Sequence, residues 1–587
     1  MTSPDIRDEL QAHVLEVVQT FESLVGASGI ESRVEQVGPQ TFIKLVVGRE
    51  APIYEFALQE LRRRLDNNPF SGLIRLALEP ADRFPASVEA SALAILLTRA
   101  TRPVSQGNRP EGFVVPYVPF QNREDHKVAQ PATQLIVGRR GVGKSTLVMR
   151  ARDLLSGGRD LIVALDCQAY SELSGPGLHR EVLRDLFLEM RQSVQTATTA
   201  SGKPIGLHGI ESALGLLDSP DHEVPSLVPR LRRVLANLTK VTEGQAYFFL
   251  DDFHLVDPKE QPLLLQTLHG VAKGANGWLK IAGLRSLLNH YDPVKRKGLQ
   301  IPGDAQLVSL DLTLEDPRAA ERHLAAILGS FMHAVGYSSY ASVLPTPAFR
   351  RLVWANAGVP RDFLQMFARS LEHASKARNA SVTLGDINIA IGELGQRKLD
   401  EMQEDARNEE GRLRKVVDYL LDFCLTQREP RVNAFLMRAE LSEERAVIAT
   451  LSDLRLLHLI HQSITPDRAG EAYQAYILDY SLFTGFRRKR NVKEMLPEEG
   501  EQFKASVLRQ LRKLPATFLA MLDEEDESRS RGTTHGGRGA AQPKRTAPNP
   551  GSRTTRTAGQ TQPTKKPKSR KAAKKSARRS GAGRKTR

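Results

Sequence analysis

The chain reads as an α/β protein: a parallel sheet with helices on both faces, then a helical segment, a winged-helix domain and a disordered basic C-terminal tail. Three observations carry that expectation. LIVGRRGVGKSTL at 135–147 places a glycine-rich turn between an apolar strand and a helix. Apolar strands recur at 161–165 (LIVAL), 247–250 (YFFL), 279–284 (LKIAGL) and 305–312 (AQLVSLDL), with helical sequence between them, the alternation of a parallel sheet. From Ser528 to Arg587 there are 19 Lys or Arg and no Asp or Glu.

The elements follow in order. Residues 4–26 place Ile6, Leu10, Val14, Val17 and Val18 on one helical face. FIKLVV (42–47) reads as a strand, 54–65 as a helix, 73–78 as a strand and 89–99 as a helix. Together 1–100 make a small α/β module of open role, in which Arg62, Arg63 and Arg64 are a solvated helix face. Residues 101–131 are rich in Pro, Gly, Asn and Gln; 101–117 is read as a linker and 118–312 as the parallel-sheet domain. Helices are expected at 316–330, 347–355, 361–375 and 384–400 within a helical lid, 313–407. Thr346-Pro347 has the form of an N-cap followed by Pro. A winged helix is expected over 408–490: a helical stretch at 411–427, a helix at 442–457, and a hairpin from HLIHQSI and AYQAYILDY. One further helix is expected at 503–522, inside a segment 491–527 that closes with DEEDE. Beyond it, 528–587 has too little apolar surface to offset its ordering entropy.

Composition narrows the function classes. The 587 residues suggest about three to five domains. No apolar run approaches the roughly 20 residues of a membrane helix, and MTSPDIRDELQ lacks the apolar core of a secretory signal. Cys167 and Cys424 form no CxxC pair, which speaks against zinc or a disulfide framework and for a reducing cytoplasm. No HExxH or GxSxG motif occurs, and His458 and His461 read as strand fillers rather than ligands. The net charge of +15 conceals an asymmetry: outside the tail, 64 basic residues face 68 acidic ones. A tail rich in Lys and Arg without an aromatic residue is expected to hold nucleic acid, DNA before RNA, through phosphates. It carries no apolar anchor for a membrane.

The stretch Gly138–Ser145 matches GxxxxGK[ST], a P-loop. The backbone of Gly138, Arg139, Arg140, Gly141, Val142, Gly143, Lys144, Ser145 and Thr146 is expected to wrap a β-phosphate at a helix N-terminus. Lys144 would reach the β and γ phosphates, and Ser145 would ligate Mg²⁺, so ATP and Mg²⁺ are the expected cofactors. AYFFLDDFH ends a buried strand in two acids. Asp251 is read as a metal ligand, and Asp252 as the group that orients or deprotonates water. Arg285 follows the next strand and would sense the γ-phosphate. Arg361, in NAGVPRDFLQM, would reach the nucleotide from the helical segment.

With these pieces the chain resembles AAA+ ATPases, and the origin-recognition branch most. GVPRDFL (358–364) and VTLGDI (382–387) match that branch's lid motifs, over a resemblance that spans about 118–490. It implies nucleotide-dependent assembly or conformational switching, usually on DNA, with a homo-oligomer or a partner protein. Because AAA+ rings use an arginine from a neighbouring subunit, Arg296 in PVKRKGLQ is the finger candidate. Two features depart from the branch: Asp251-Asp252 where it has Asp-Glu, and Arg285 where it has an Asn-like residue. Both resemble STAND signalling ATPases instead, which leaves a signalling switch, for example in phage defence, as the alternative. The C-terminus has no repeat array of the kind such sensors carry.

A winged helix reads DNA with its third helix. Here 442–457 carries Glu443, Glu444, Arg445, Asp453 and Arg455, a net of −1, so a structural or protein-contact role is expected. The run Arg487–Arg490 is a better backbone contact than the hairpin tip, which offers Arg468.

Overall fold

A computed structural model describes residues 4–102, 112–196, 205–405, 410–427, 429–440, 442–466, 470–484, 492–495 and 503–523. All belong to the first of two compact units, Met1–Glu525. The basic tail, the run 487–490, Arg468 and most of the acidic end 523–527 lie outside the described residues.

The chain opens with α1 (Pro4–Val25), β1 (Ser32–Val37), β2 (Gln40–Val47), α2 (Pro52–Arg64), β3 (Ile74–Leu78) and α3 (Val88–Ala100). The strands form one sheet in the order β1-β2-β3, with β1 antiparallel and β3 parallel to β2. β1 was not anticipated, because SRVEQV is mostly polar and solvent-facing. The Ser87 hydroxyl caps α3 by accepting from the Ala90 N–H at 3.1 Å. Arg63 and Arg64 pair with Glu60 on the exposed face of α2, as expected of a solvated basic run.

The parallel-sheet domain follows: α4 (Glu124–Val128), β4 (Gln134–Val137), α5 (Lys144–Leu155), β5 (Leu161–Asp166), α6 (Gly175–Thr196), α7 (His208–Asp218), α8 (Val224–Thr242), β6 (Ala246–Asp251), α9 (Gln261–Ala272), β7 (Gly277–Gly283), a small hairpin β8 (Tyr291–Asp292) and β9 (Lys297–Gly298), and β10 (Gln306–Ser309). Its five main strands run parallel in the order β10-β4-β7-β6-β5. One apolar layer holds Phe248, Leu279 and Leu231; the other holds Ile136, Phe249 and Leu147. Every residue of β6 is buried, which is why AYFFLD reads as a continuous apolar run. The strands all end on one edge of the sheet, where open α/β sheets place their sites.

Next come α10 (Pro317–Ala334), α11 (Thr346–Asn356), α12 (Pro360–Lys376) and α13 (Leu384–Asp405), close to the four helices expected. The Asp316 carboxylate caps α10 by accepting from the Ala319 N–H at 3.0 Å. The C-terminal module is α14 (Glu410–Leu425), β11 (Arg431–Val432), β12 (Ala434–Arg438), α15 (Ser442–Asp453), β13 (Leu457–Ile464), β14 (Tyr473–Leu478), β15 (Val492–Lys493), α16 (Ala505–Leu508) and β16 (Arg512–Lys513). The expected hairpin is β13–β14, extended by β12 and β16 into a sheet ordered β13-β14-β12-β16.

Two expectations here are corrected. The helix expected at 442–457 stops at Asp453; Arg455 turns left-handed (φ 65°) and Leu457 already begins β13. The helix expected at 503–522 breaks after α16. Leu514 donates its N–H to the Leu436 carbonyl at 2.7 Å beside β12, and Pro515 has no N–H to continue a helix. A third apolar core is continuous through the N-terminal module, the four-helix segment and the C-terminal module. Among the described residues, no helix is long and apolar enough to cross a membrane.

Candidate active site

β4 delivers the chain into the P-loop, and α5 leaves it. Gly141 (φ 77°) and Gly143 (φ 104°) take the left-handed conformation that lets neighbouring amides turn to one side. Gly138 and Val142 are buried under the loop, Ser145 is half-buried and Thr146 is exposed on the first turn of α5. Lys144 is buried, and its ammonium donates to the carbonyls of Gly138 (2.8 Å) and Arg139 (3.1 Å). Burial pulls its pKa down, opposed by the carboxylates of Asp252, Asp251, Asp311 and Asp453.

Asp251 ends β6 beside the Ser145 hydroxyl and accepts the Asp252 N–H at 3.0 Å. Burial and the Asp252 charge push its pKa up to about 6. A buried carboxylate beside a hydroxyl and a second carboxylate is an oxygen donor set that suits Mg²⁺. Asp252 adopts φ 49°, and its side chain is 43% exposed, with Oδ1 3.9 Å from His254 Nδ1.

The remaining expected residues divide. The start of α12 meets the loop through its backbone: the Arg361 main-chain N–H donates to the Gly141 carbonyl at 3.2 Å, and a Cβ added to Gly141 would lie 2.8 Å from Arg361 Cβ. Burial lowers the pKa of the Arg361 guanidinium. Arg139 is turned toward the helical segment: its guanidinium reaches Asp311 Oδ1 (3.2 Å) and the carbonyls of Leu312 (2.7 Å) and Ala357 (3.0 Å). Arg140 donates its N–H to the Asp453 carbonyl at 3.1 Å, and its Nε lies 3.6 Å from Glu401 Oε2. Arg285 stands exposed at the rim of a cavity of about 310 Å³, whose lining includes Arg139, Asp311, Ser452, Asp453 and His458. Arg296 (φ 53°) is exposed on the β8–β9 turn and does not line that cavity.

The sequence reading missed what seals the loop. Asp453 and Arg455, from the stretch expected to have a structural or protein-contact role, are buried against the P-loop and the four-helix segment. Arg455 closes on Asp362, next to Arg361, and on Glu401 of α13. Lys398 sits 2.9 Å from Asp362 Oδ2 and donates to Asp479 Oδ2 at 2.7 Å. His458 Nε2 is 2.8 Å from that same oxygen, and its Nδ1 lies 3.5 Å from Arg139. No local motif marks these residues; they meet only through long-range packing.

Residues 126–276 match the AAA ATPase domain family. No curated protein matches the chain. Among solved structures, it is similar to Cdc6p from Pyrobaculum aerophilum (13% identity, 63% of this chain and 92% of that one, TM-score 0.31). It is also similar to Drosophila ORC bound to DNA (14%, 67% and 89%, TM-score 0.32). A third is the Thermotoga maritima RuvB Holliday junction branch migration motor (12%, 53% and 90%, TM-score 0.28). The matched residues 126–276 hold the glycine-rich loop and β6 with its two acids, and this part of the chain is similar to an AAA ATPase domain.

Proposed function

We propose that the chain is a Mg-ATP-driven switch that acts on, or assembles with, nucleic acid, double-stranded DNA in the first place. One observation carries the switch: a single loop is gripped from both sides. Gly141 is bonded to the start of α12, and Arg140 to the end of α15. A ligand that rearranges the loop therefore moves the helical lid and the C-terminal module.

In this reading the amides of 141–146 hold the phosphates, and Lys144 leaves the Gly138 and Arg139 carbonyls for phosphate oxygens. Ser145 and Asp251 hold Mg²⁺, which neutralises charge on the phosphates. Asp252, the more exposed acid, orients the attacking water. Arg285 and Arg361 respond to the γ-phosphate, and Arg296, exposed on its turn, is offered to a neighbouring subunit of a homo-oligomer or to a partner protein. The tail 528–587 holds DNA phosphates without reading sequence, which suits a cytoplasmic, nucleoid-associated protein.

A second reading is a signalling switch of the STAND kind, in which DNA is secondary. The direct seal of the C-terminal module on the P-loop favours it.

ATP turnover by the full chain, with and without double-stranded DNA, separates the two. The comparison includes Lys144→Ala and a chain stopped at Glu527. The first reading expects stimulation by DNA that both variants lose. Tight ATP binding with little turnover, indifferent to DNA, would sink it and leave the second.

A further inference from the structure

The end of α15 brings negative charge to a loop built for anions. The Asp453 carbonyl, at the partially negative end of that helix, accepts the Arg140 N–H at 3.1 Å. Its carboxylate accepts the Ser286 N–H at 2.7 Å. Ser286 follows Arg285 at the tip of β7, and β7 lies between β4, which carries the P-loop, and β6, which carries Asp251. In the proposed Mg-nucleotide site, a γ-phosphate would face those strand tips. Asp453 thus stands on the γ-phosphate side of the loop.

Asp453 is 8% exposed, and among the described residues no salt bridge to its carboxylate is found. Its neighbour Asp311 is answered by Arg139. Asp453 has the hydroxyl and N–H of Ser286 and the field of Lys144, while burial first and then Asp311 raise its pKa. A buried carboxylate without its own cation is unfavourable, so its position needs the positive surroundings that a γ-phosphate would also use.

We propose that Asp453 is a tethered stand-in for the γ-phosphate, through which the chain distinguishes ATP from ADP. ADP binds with the C-terminal module docked. ATP brings a second anion to the position Asp453 holds, and charge repulsion lifts α15 and β13 from the loop. This rests on the reading of Lys144, Ser145 and Asp251 as a Mg-nucleotide site.

The test is the affinity of the full chain for ADP and for the non-hydrolysable imido analogue of ATP, both with Mg²⁺. Asp453→Asn keeps an acceptor for Ser286 and removes the charge. It should improve analogue binding relative to ADP about tenfold, while ADP affinity stays within about twofold. Asp453→Glu should keep the wild-type ratio. An Asn variant with the wild-type ratio overturns the proposal. Should the Asn variant fail to fold, hydrogen exchange on the wild type decides: residues 442–464 should exchange faster with the analogue and stay protected with ADP, and equal protection in both overturns it. Failure of the underlying reading looks different, because Lys144→Ala would then bind both nucleotides as the wild type does.

Discussion

Lys398 Nζ donates to Asp479 Oδ2 at 2.7 Å, joining α13 to the end of β14, and both side chains are sealed from water. The same ammonium lies 2.9 Å from Asp362 Oδ2, which follows Arg361 at the start of α12. Buried ions add little net stability when complete, but removing one partner leaves the others uncompensated. Lys398→Met should therefore lower stability by about 3–5 kcal/mol, read as a shift of the urea midpoint. A second change, Asp479→Leu, should recover part of that loss. A shift below about 1 kcal/mol for Lys398→Met would show that these ions are hydrated in solution.

The same cluster makes the fold acid-sensitive. Burial holds the His458 imidazole neutral and pulls its pKa down to about 4, against an ordinary 6.5. Below pH 6.5 the unfolded chain takes up a proton that the folded one refuses. The His458 contribution is thus complete above pH 6.5 and is lost as pH falls to about 4, roughly 3 kcal/mol in all. Asp479 adds to this with the same sign. Despite burial, which raises it, Lys398 and His458 hold its pKa well below the carboxylate range, so its share is lost at still lower pH. The melting temperature should fall between pH 6.5 and 4, and His458→Gln should flatten that part of the profile. An unchanged slope in the variant would mean that another group carries the acid sensitivity.

The parts that were legible are those whose signal is local. Glycine spacing marks the P-loop, a saturated apolar run marks β6 with its two acids, and GVPRDFL marks the start of α12 at the loop. What stayed hidden depends on distance in the chain. Lys280, read within an apolar strand, is a buried ammonium on β7 that donates to the Gln130 and Ala132 carbonyls (2.6 and 2.7 Å) and to Gln134 Oε1 (2.8 Å). Asp453 and Arg455 read as a charged helix face because the partners of their side chains lie far off in the chain: Ser286 and Asp362 at 167 and 93 residues, and Glu401 at 54. The early end of α15 turned them inward, and helix periodicity alone extends too far to show it.

Gly141 is where the hold of α12 on the loop can be tested with one methyl group. Its φ of 77° disfavours any side chain, and an added Cβ would meet Arg361 Cβ at 2.8 Å and Val359 Cγ1 at 3.2 Å. Gly141→Ala should push α12 away and cost about 1–3 kcal/mol of stability. ATP affinity should fall with it, measured by titration of the full chain. Normal affinity in a destabilised variant would show that the loop closes on phosphate without α12.

The tail gives the remaining prediction, and salt rather than mutation reads it best. Its 19 positive charges face no acidic residue in the same segment, whereas the rest of the chain holds 64 basic against 68 acidic residues. A slightly acidic body has little to offer DNA at long range, so the affinity should reside in the tail. Each phosphate neutralised contributes a slope of about −0.9 to log K against log salt. Binding of the full chain to double-stranded DNA should show a steep slope that is insensitive to sequence. A chain stopped at Glu527 should lose several units of slope and most of its affinity at low salt. If the shortened chain kept the slope, the phosphate contacts would lie in the folded part, and the tail would be serving something other than DNA.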